Sequence, residues 1–501
     1  MNTNLRELKN RLMEVNDLRS ANALLNWDQS TYMPPGGVTG RARQMATLTR
    51  IAQEKFTDPA IGKLLDKLLP YQESLPYDSD DASLIRITRH DYERAVRVPP
   101  AFMGELESHT TESFQVWAES RPANDFKRIQ PYLEKTLDFS RKLANFFPGY
   151  KHIADPLIDW ADRGMTAASI KSLFSDLRKE QLPLVNMILS QPPTSDACLH
   201  QNYPEGKQLA FGVEVINRLG YDFQRGRQDK TYHPFMTKFS LGDVRITTRV
   251  DTHNLGECLF SLIHESGHAM YEQGINMVYD GTPLAGGTSS GMHESQSRLW
   301  ENVVGRSRGF WSYYYPQLEK TFPKQLKNTS QDTFYGAINK VEQSLIRTDA
   351  DEVTYNLHVM IRFDLELALL EGSLAVRDLP EAWCTRYQQD LGITPPDDRD
   401  GVLQDVHWYG GVVGGVFQGY TLGNILGALF YEAALKTHPE IPSQIEKGQF
   451  DTLRRWLTDN IYQHGRKFTA EEIVQRITGG PIRIEPYINY LRTKYTELYK
   501  L

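Results

Sequence analysis

The sequence predicts a mainly α-helical protein: one large helical body, long enough to enclose a deep groove, with a small β hairpin or sheet beside a central helix. Three observations predict it. Apolar residues recur at helical spacing through most of the chain, and Pro/Gly breakers punctuate it. A single stretch, 233–250, is instead rich in β-branched and aromatic residues.

The first helix is expected over Leu5 to Asn26, where Leu5, Leu8, Leu12, Val15, Leu18 and Leu25 form one stripe. Met33-Pro34-Pro35-Gly36-Gly37 stops it. Similar stripes predict helices through Leu133–Phe147, Ile170–Leu182 and Val341–Leu370, with loops at 191–195 and 394–398. His233 to Val250 reads as a hairpin around Leu241-Gly242-Asp243. The next helix is expected from Asn254, a suitable N-cap with Glu257 completing a capping box, to a left-handed cap at Gly274. After the loop 286–291, a further helical segment opens at His293.

Composition narrows the function classes. The chain has 501 residues, 40% hydrophobic and 24% charged, with a net charge of −7. That charge argues against a nucleic-acid partner, which needs an excess of Lys and Arg on one face. No apolar run approaches the roughly 18 residues of a membrane span, and the amino terminus lacks the apolar core of a secretory signal. Three widely spaced cysteines fit no disulfide framework, so a reducing cytoplasm is expected.

Chemistry concentrates in His264-Glu265-Ser266-Gly267-His268. Histidines four apart share one helical face and can present nitrogen to one divalent metal ion. Glu265, between them, is placed to act as general base on a water beside that ion. The alternative is two histidines that merely share a face; the surrounding apolar helix favours the metal. A third ligand is required. Continuing into the metzincin pattern would need a glycine at position 271 and a histidine at position 274, whereas the chain has Tyr271 and Gly274. A carboxylate from a following helix remains: Glu294 is chosen, with Glu301 and Glu272 behind it as Glu residues that would ordinarily be solvated. Zn²⁺ suits two His and one Glu, and Co²⁺ or Mn²⁺ could occupy the same donors.

Further strings accompany the metal motif: His233-Pro234-Phe235, Asp243-x-Arg245-x-Thr247, His293-Glu294-Ser295-Gln296, Ile346-Arg347-x-x-Ala350-Asp351 and Gly401-x-x-Gln404-Asp405-x-His407-Trp408, after an opening Trp27-Asp28-Gln29 and Met33-Pro34. In order and spacing they resemble the carboxypeptidase Taq-type metallocarboxypeptidases, peptidase family M32. The resemblance implies a single unit over 1–501, neurolysin-like, with roughly 1–200 forming one groove wall and 201–501 the catalytic part. It further implies a homodimer that releases carboxy-terminal amino acids one at a time from peptides with a free carboxy terminus. Broad side-chain tolerance and little action beside proline also follow from it. By the same resemblance His264, His268 and Glu294 are the metal ligands, Glu265 the base, Arg347 the group that binds the terminal carboxylate, and Tyr420 the active-site tyrosine. The chain departs from the family near Tyr420, with Val416 and Gln418-Gly419 where many members have other residues.

Peptide hydrolysis also needs a hydrogen-bond donor to the oxyanion, for which Tyr420 or else His407 is suited. An exopeptidase needs a cation for the terminal carboxylate, and a guanidinium can bind it through two parallel bonds. Arg347 could instead form an ion pair with Asp349 or Asp351 within a helix. Arg245, which has Asp243 as a structural partner, is the second candidate, and His233 is grouped with these two among substrate-contacting residues. The rival readings are a metallo-endopeptidase or dipeptidyl peptidase of the same fold, and an inactive helical scaffold.

Overall fold

A computed structural model describes residues 2–501. It is 67% helix and 3% strand, which agrees with the expected fold class. The first helix runs Thr3–Thr31, longer than its stripe, and turns at Met33-Pro34. Leu5, Leu8, Leu12 and Val15 are buried on its core side. The second and third stripes become Phe126–Asn145 and Ala167–Leu189.

The fourth stripe is corrected. Helix begins only at Tyr355, running to Glu371, and residues 341–354 hold a single 3-10 turn at Arg347–Asp349. Local side chains take the backbone N–H groups there. Ser344 Oγ accepts from Ile346 N at 3.2 Å, and Asp351 Oδ1 accepts from Val353 N at 2.8 Å and Thr354 N at 3.1 Å. Such bonds compete with the helix ladder.

The hairpin is present as β2 (Met236–Ser240) and β3 (Asp243–Thr248), antiparallel, with an irregularity between Lys238 and Ser240. A third strand, β1 (Gln228–Lys230), pairs with β3 in parallel, giving the order β1-β3-β2. Three residues are too few to show strand alternation, so the sequence did not predict it.

Behind the sheet lies the helix Leu255–Gln273, capped by Asn254 Oδ1 on Gly256 N at 3.1 Å. Both finer cap expectations change. Glu257 pairs with Arg249 rather than closing a capping box. Gly274 has φ −82°, not a left-handed value; it is required because a Cβ there would stand 2.6 Å from the Tyr462 ring.

Two large apolar cores flank the site. One joins the Phe126 and Ala167 helices to the Tyr355 helix and the carboxy-terminal helix Glu485–Tyr499. The other holds the sheet, the Leu255 helix and residues 299–338. The helix Gln418–Thr437 spans both, with Leu422 and Ile425 in the first core and Leu426 and Leu429 in the second. Functional residues from either side therefore meet along the seam between the cores. Among the described residues no helix is long and apolar enough to cross a membrane.

Candidate active site

His264 and His268 stand one turn apart, their rings 4.9 Å between centroids and nearly perpendicular. The short helix Ser290–Arg298 delivers Glu294 to them, its first turn capped by Ser289 Oγ on Met292 N. Close approach of the two helices depends on Gly267, where a Cβ would stand 2.6 Å from Ser297 Cα and 2.8 Å from Gln296 O. On the opposite side the Gln418 helix meets the same short helix through Gly423, whose Cβ would lie 2.6 Å from Glu294 Cβ.

The donor atoms converge. Glu294 Oε2 lies 3.8 Å from His264 Nε2 and 3.5 Å from His268 Nε2, and donors of all three residues lie within 4.8 Å of one another. These separations are long for hydrogen bonds and suit atoms that share one cation. The other donor atom of each residue is occupied. His264 Nδ1 donates to Glu301 Oε2 at 2.8 Å, Arg298 Nε donates to Glu294 Oε1 at 2.9 Å, and His268 Nδ1 lies 3.2 Å from His293 Nδ1. His293 Nε2 in turn donates to Glu272 Oε1 at 2.7 Å, and Lys238 Nζ closes the chain on Glu272 Oε2 at 2.5 Å. His264 Nε2, His268 Nε2 and Glu294 Oε2 are thereby left facing a common point, and the three residues fit a divalent ion.

Glu301 and Glu272, the alternative third ligands, are thus buried partners, Glu301 of His264 directly and Glu272 of His293, which stands behind His268, not solvated helical residues. Burial, opposed only in part by Glu294, pushes His268 down to about 4, so its imidazole is neutral, as a ligand must be. For Glu294 burial raises the pKa, but Arg298 and the two histidines outweigh it and hold the carboxylate ionised. Glu265 is buried on the same helix as the two histidines. Burial first, and the charges of Glu294 and Glu301 after it, push Glu265 up to about 7 against the opposing His264.

A second group faces the seam from the other core. Arg347 is 7% exposed and is not in an ion pair with Asp349 or Asp351. Its Nε donates to Asp405 Oδ2 at 2.6 Å, its backbone N to Gln404 Oε1 at 3.1 Å, and its Nη1 to the Tyr355 hydroxyl at 3.0 Å. Arg362, fully buried, shares Asp405 at 2.9 Å. The Arg347 guanidinium lies 5.1 Å from the Tyr420 ring centroid. His407 hydrogen-bonds Asp405 through Nδ1, and its Nε2 is 3.2 Å from the Tyr420 hydroxyl. Burial raises the Tyr420 pKa, so the phenol keeps its proton for donation.

The departure before Tyr420 has a structural role. Gln418 opens the Tyr420 helix and its amide donates to Asp162 Oδ2 at 3.1 Å, while Asp162 Oδ1 accepts from Gly291 N at 2.7 Å. One carboxylate thus ties the Tyr420 helix to the start of the Glu294 helix. His233, on the loop before β2, has its pKa lowered by burial first and by Arg249, His407 and Arg347 after it. Arg245 does not join Arg347. It forms two 2.8 Å bonds to Asp243 and stacks over Trp27 and Phe239, fastening the first helix to the sheet.

Arg298, Tyr355 and Gly267 were not singled out from the sequence. A signal existed for Arg298, which follows Glu294 by four residues and so shares its helical face. None existed for Tyr355, which reaches the site only through the fold.

The model of the family described as "Carboxypeptidase Taq (M32) metallopeptidase" matches residues 7–495. Thermostable carboxypeptidase 1 of Thermus thermophilus is 40% identical over 494 residues, covering 96% of each chain. Carboxypeptidase 1 of Bacillus subtilis is 35% identical, covering 98% of this chain and 97% of its own. The crystal structure of an M32 carboxypeptidase from Deinococcus radiodurans R1 superposes with a TM-score of 0.97 at 46% identity, covering all of both chains. Strings spread from Trp27 to Trp408, a shared fold and a converging His-His-Glu group lead to one assignment: the chain belongs to the carboxypeptidase Taq (M32) metallopeptidase family.

Proposed function

We propose that this metallocarboxypeptidase removes carboxy-terminal amino acids one at a time, with broad side-chain tolerance, and that Arg347 selects the terminal bond. His264, His268 and Glu294 would hold the ion, zinc in our reading, with Co²⁺ or Mn²⁺ able to replace it. When bound, such an ion supplies Lewis-acid polarisation and makes water more acidic. Glu265 takes a proton from the attacking water on its carboxylate and returns it to the departing amine nitrogen. Tyr420 donates its O–H toward the developing oxyanion, with His407 behind it. Arg347 pairs with the terminal carboxylate, and His233 is the further substrate-contacting residue of this reading.

The observation that carries this reading is the pairing of Arg347 with Asp405 and Tyr355 beside Tyr420. A buried guanidinium whose Nε and Nη2 are held by Asp405 and whose Nη1 is held by Tyr355 keeps one further N–H on each of Nη1 and Nη2 for a carboxylate. The same reading takes the chain as one catalytic unit, a cytoplasmic homodimer whose three cysteines stay reduced.

Peptides with free-acid and amidated carboxy termini, given to wild type and Arg347→Ala, test it. Wild type should prefer the acid, and the variant should lose about 10–150-fold in kcat/KM on it while changing little on the amide. A wild type that cuts both alike would instead be an endopeptidase.

A further inference from the structure

Tyr355 is the first residue of its helix and is 6% exposed. Its backbone is anchored, because Tyr355 N donates to Asp351 O at 2.9 Å while the Asp351 carboxylate binds the two preceding N–H groups. The ring lies against the Arg298 guanidinium, 4.6 Å from Cζ to centroid, and the hydroxyl accepts from Arg347 Nη1 at 3.0 Å. Arg298 holds Glu294 Oε1, leaving Oε2 for the ion. Among the described residues Tyr355 is the side chain that joins both guanidinium groups, one behind a metal ligand and the other the proposed carboxylate anchor.

Each guanidinium is a cation that needs an electron-rich neighbour, and each Arg side chain has several rotatable bonds. A tyrosine answers both difficulties, since its π face attracts one guanidinium and its oxygen lone pair the other. With only two side-chain torsions, the ring acts as a rigid strut between them. The span between anchor and metal ligands decides which peptide bond is presented for hydrolysis.

We infer that Tyr355 is a positioning residue that sets this span and so limits each cleavage to a single terminal amino acid. The inference rests on the reading of Arg347 as carboxylate anchor. It gives Tyr355 no contact with the reacting atoms, and its effect passes through Arg347 and Arg298.

Tyr355→Phe keeps the ring under Arg298 and removes the bond to Arg347, whereas Tyr355→Leu removes both. Kinetics on a free-acid peptide, mass spectrometry of products over time, and metal retention against a chelator are compared with wild type. The Phe variant should raise KM by about 5–20-fold with a smaller change in kcat. It should release some dipeptide beside single amino acids and retain metal normally. The Leu variant should add a loss of metal retention. A Phe variant with wild-type KM and single-residue products overturns the proposal. So does one that loses metal and thermal stability in step with the Leu variant, which would make Tyr355 an ordinary core residue. The acid and amide comparison on wild type separates the two layers. If wild type does not prefer the acid, the anchor reading fails and this inference with it; if it does and the Phe variant is unchanged, only the role of Tyr355 fails.

Discussion

Glu301 Oε2 accepts from His264 Nδ1 at 2.8 Å, and this one bond decides that Nε2 is the nitrogen His264 offers to a metal. Arg298 at 3.3 Å and Arg306 at 3.3 Å keep the Glu301 carboxylate charged and in place. Glu301→Gln preserves size and an acceptor but lowers the basicity of the imidazole. Metal affinity should fall by on the order of 10-fold, toward the lower end of such orienting substitutions. Competition with a chromogenic chelator measures it, and an unchanged dissociation constant would reduce Glu301 to a partner of the two arginines.

Glu265→Gln separates base from ligand. The amide cannot accept the proton of the attacking water, so turnover should drop by roughly 10²–10⁴-fold with metal content near normal. Elemental analysis beside the kinetics checks this. Loss of metal in parallel with activity would move Glu265 into the ligand set.

Gly267→Ala changes no donor atom. The added Cβ would meet Ser297 Cα at 2.6 Å and Gln296 O at 2.8 Å, backbone atoms that cannot rotate aside. The Glu294 helix must retreat, at a cost of about 1–3 kcal/mol in stability, and weaker metal binding should follow. Thermal unfolding with and without added Zn²⁺ reports both effects. A variant that binds metal normally would show that the helices can part without moving Glu294.

Glu366 predicts a pH effect on stability. It is buried, its Oε1 accepts from Trp408 Nε1 at 2.8 Å and Gly414 N at 3.1 Å, and its Oε2 has no partner. Burial chiefly, with the nearby Asp405 charge, raises its pKa from 4.5 to about 7, against the opposing Trp408 and Gly414 bonds and Arg362. A raised folded pKa means stability that is whole below about pH 4.5 and lost as pH climbs through about 7. By pH 8 the cost is on the order of 3 kcal/mol. Glu366→Gln, which mimics the protonated acid, should lose less Tm than wild type between pH 5 and pH 8. Parallel Tm curves would show that Glu366 is already ionised in the fold.

Much of this centre was legible because its signals are local. The i,i+4 spacing of His264 and His268, the Asn254 cap and the turn between β2 and β3 each occupy a few consecutive residues, where helix or strand geometry decides position. Arg347 shows where legibility stops. Its stripe and nearby Asp349 and Asp351 read as one helix with an internal ion pair, yet Ser344 and Asp351 turn inward to the backbone and the partner is Asp405, 58 residues on. No periodicity encodes a contact between segments so far apart. Glu301 and Glu272 show the related limit. On a helix their type suggests solvent, and only the packing of neighbouring helices reveals that each is enclosed with a histidine to hold.

Gly267 and Gly423 give this metal centre a portability condition. A search pattern treats position 267 as a wildcard, and a designer grafting the centre onto another scaffold would copy His264, His268 and Glu294 first. The transplant would fail if the recipient carried even a methyl group at either glycine, because the short helix between them is gripped by bare backbone on both flanks. The minimal blueprint is five positions, two of them specified by what the side chain lacks.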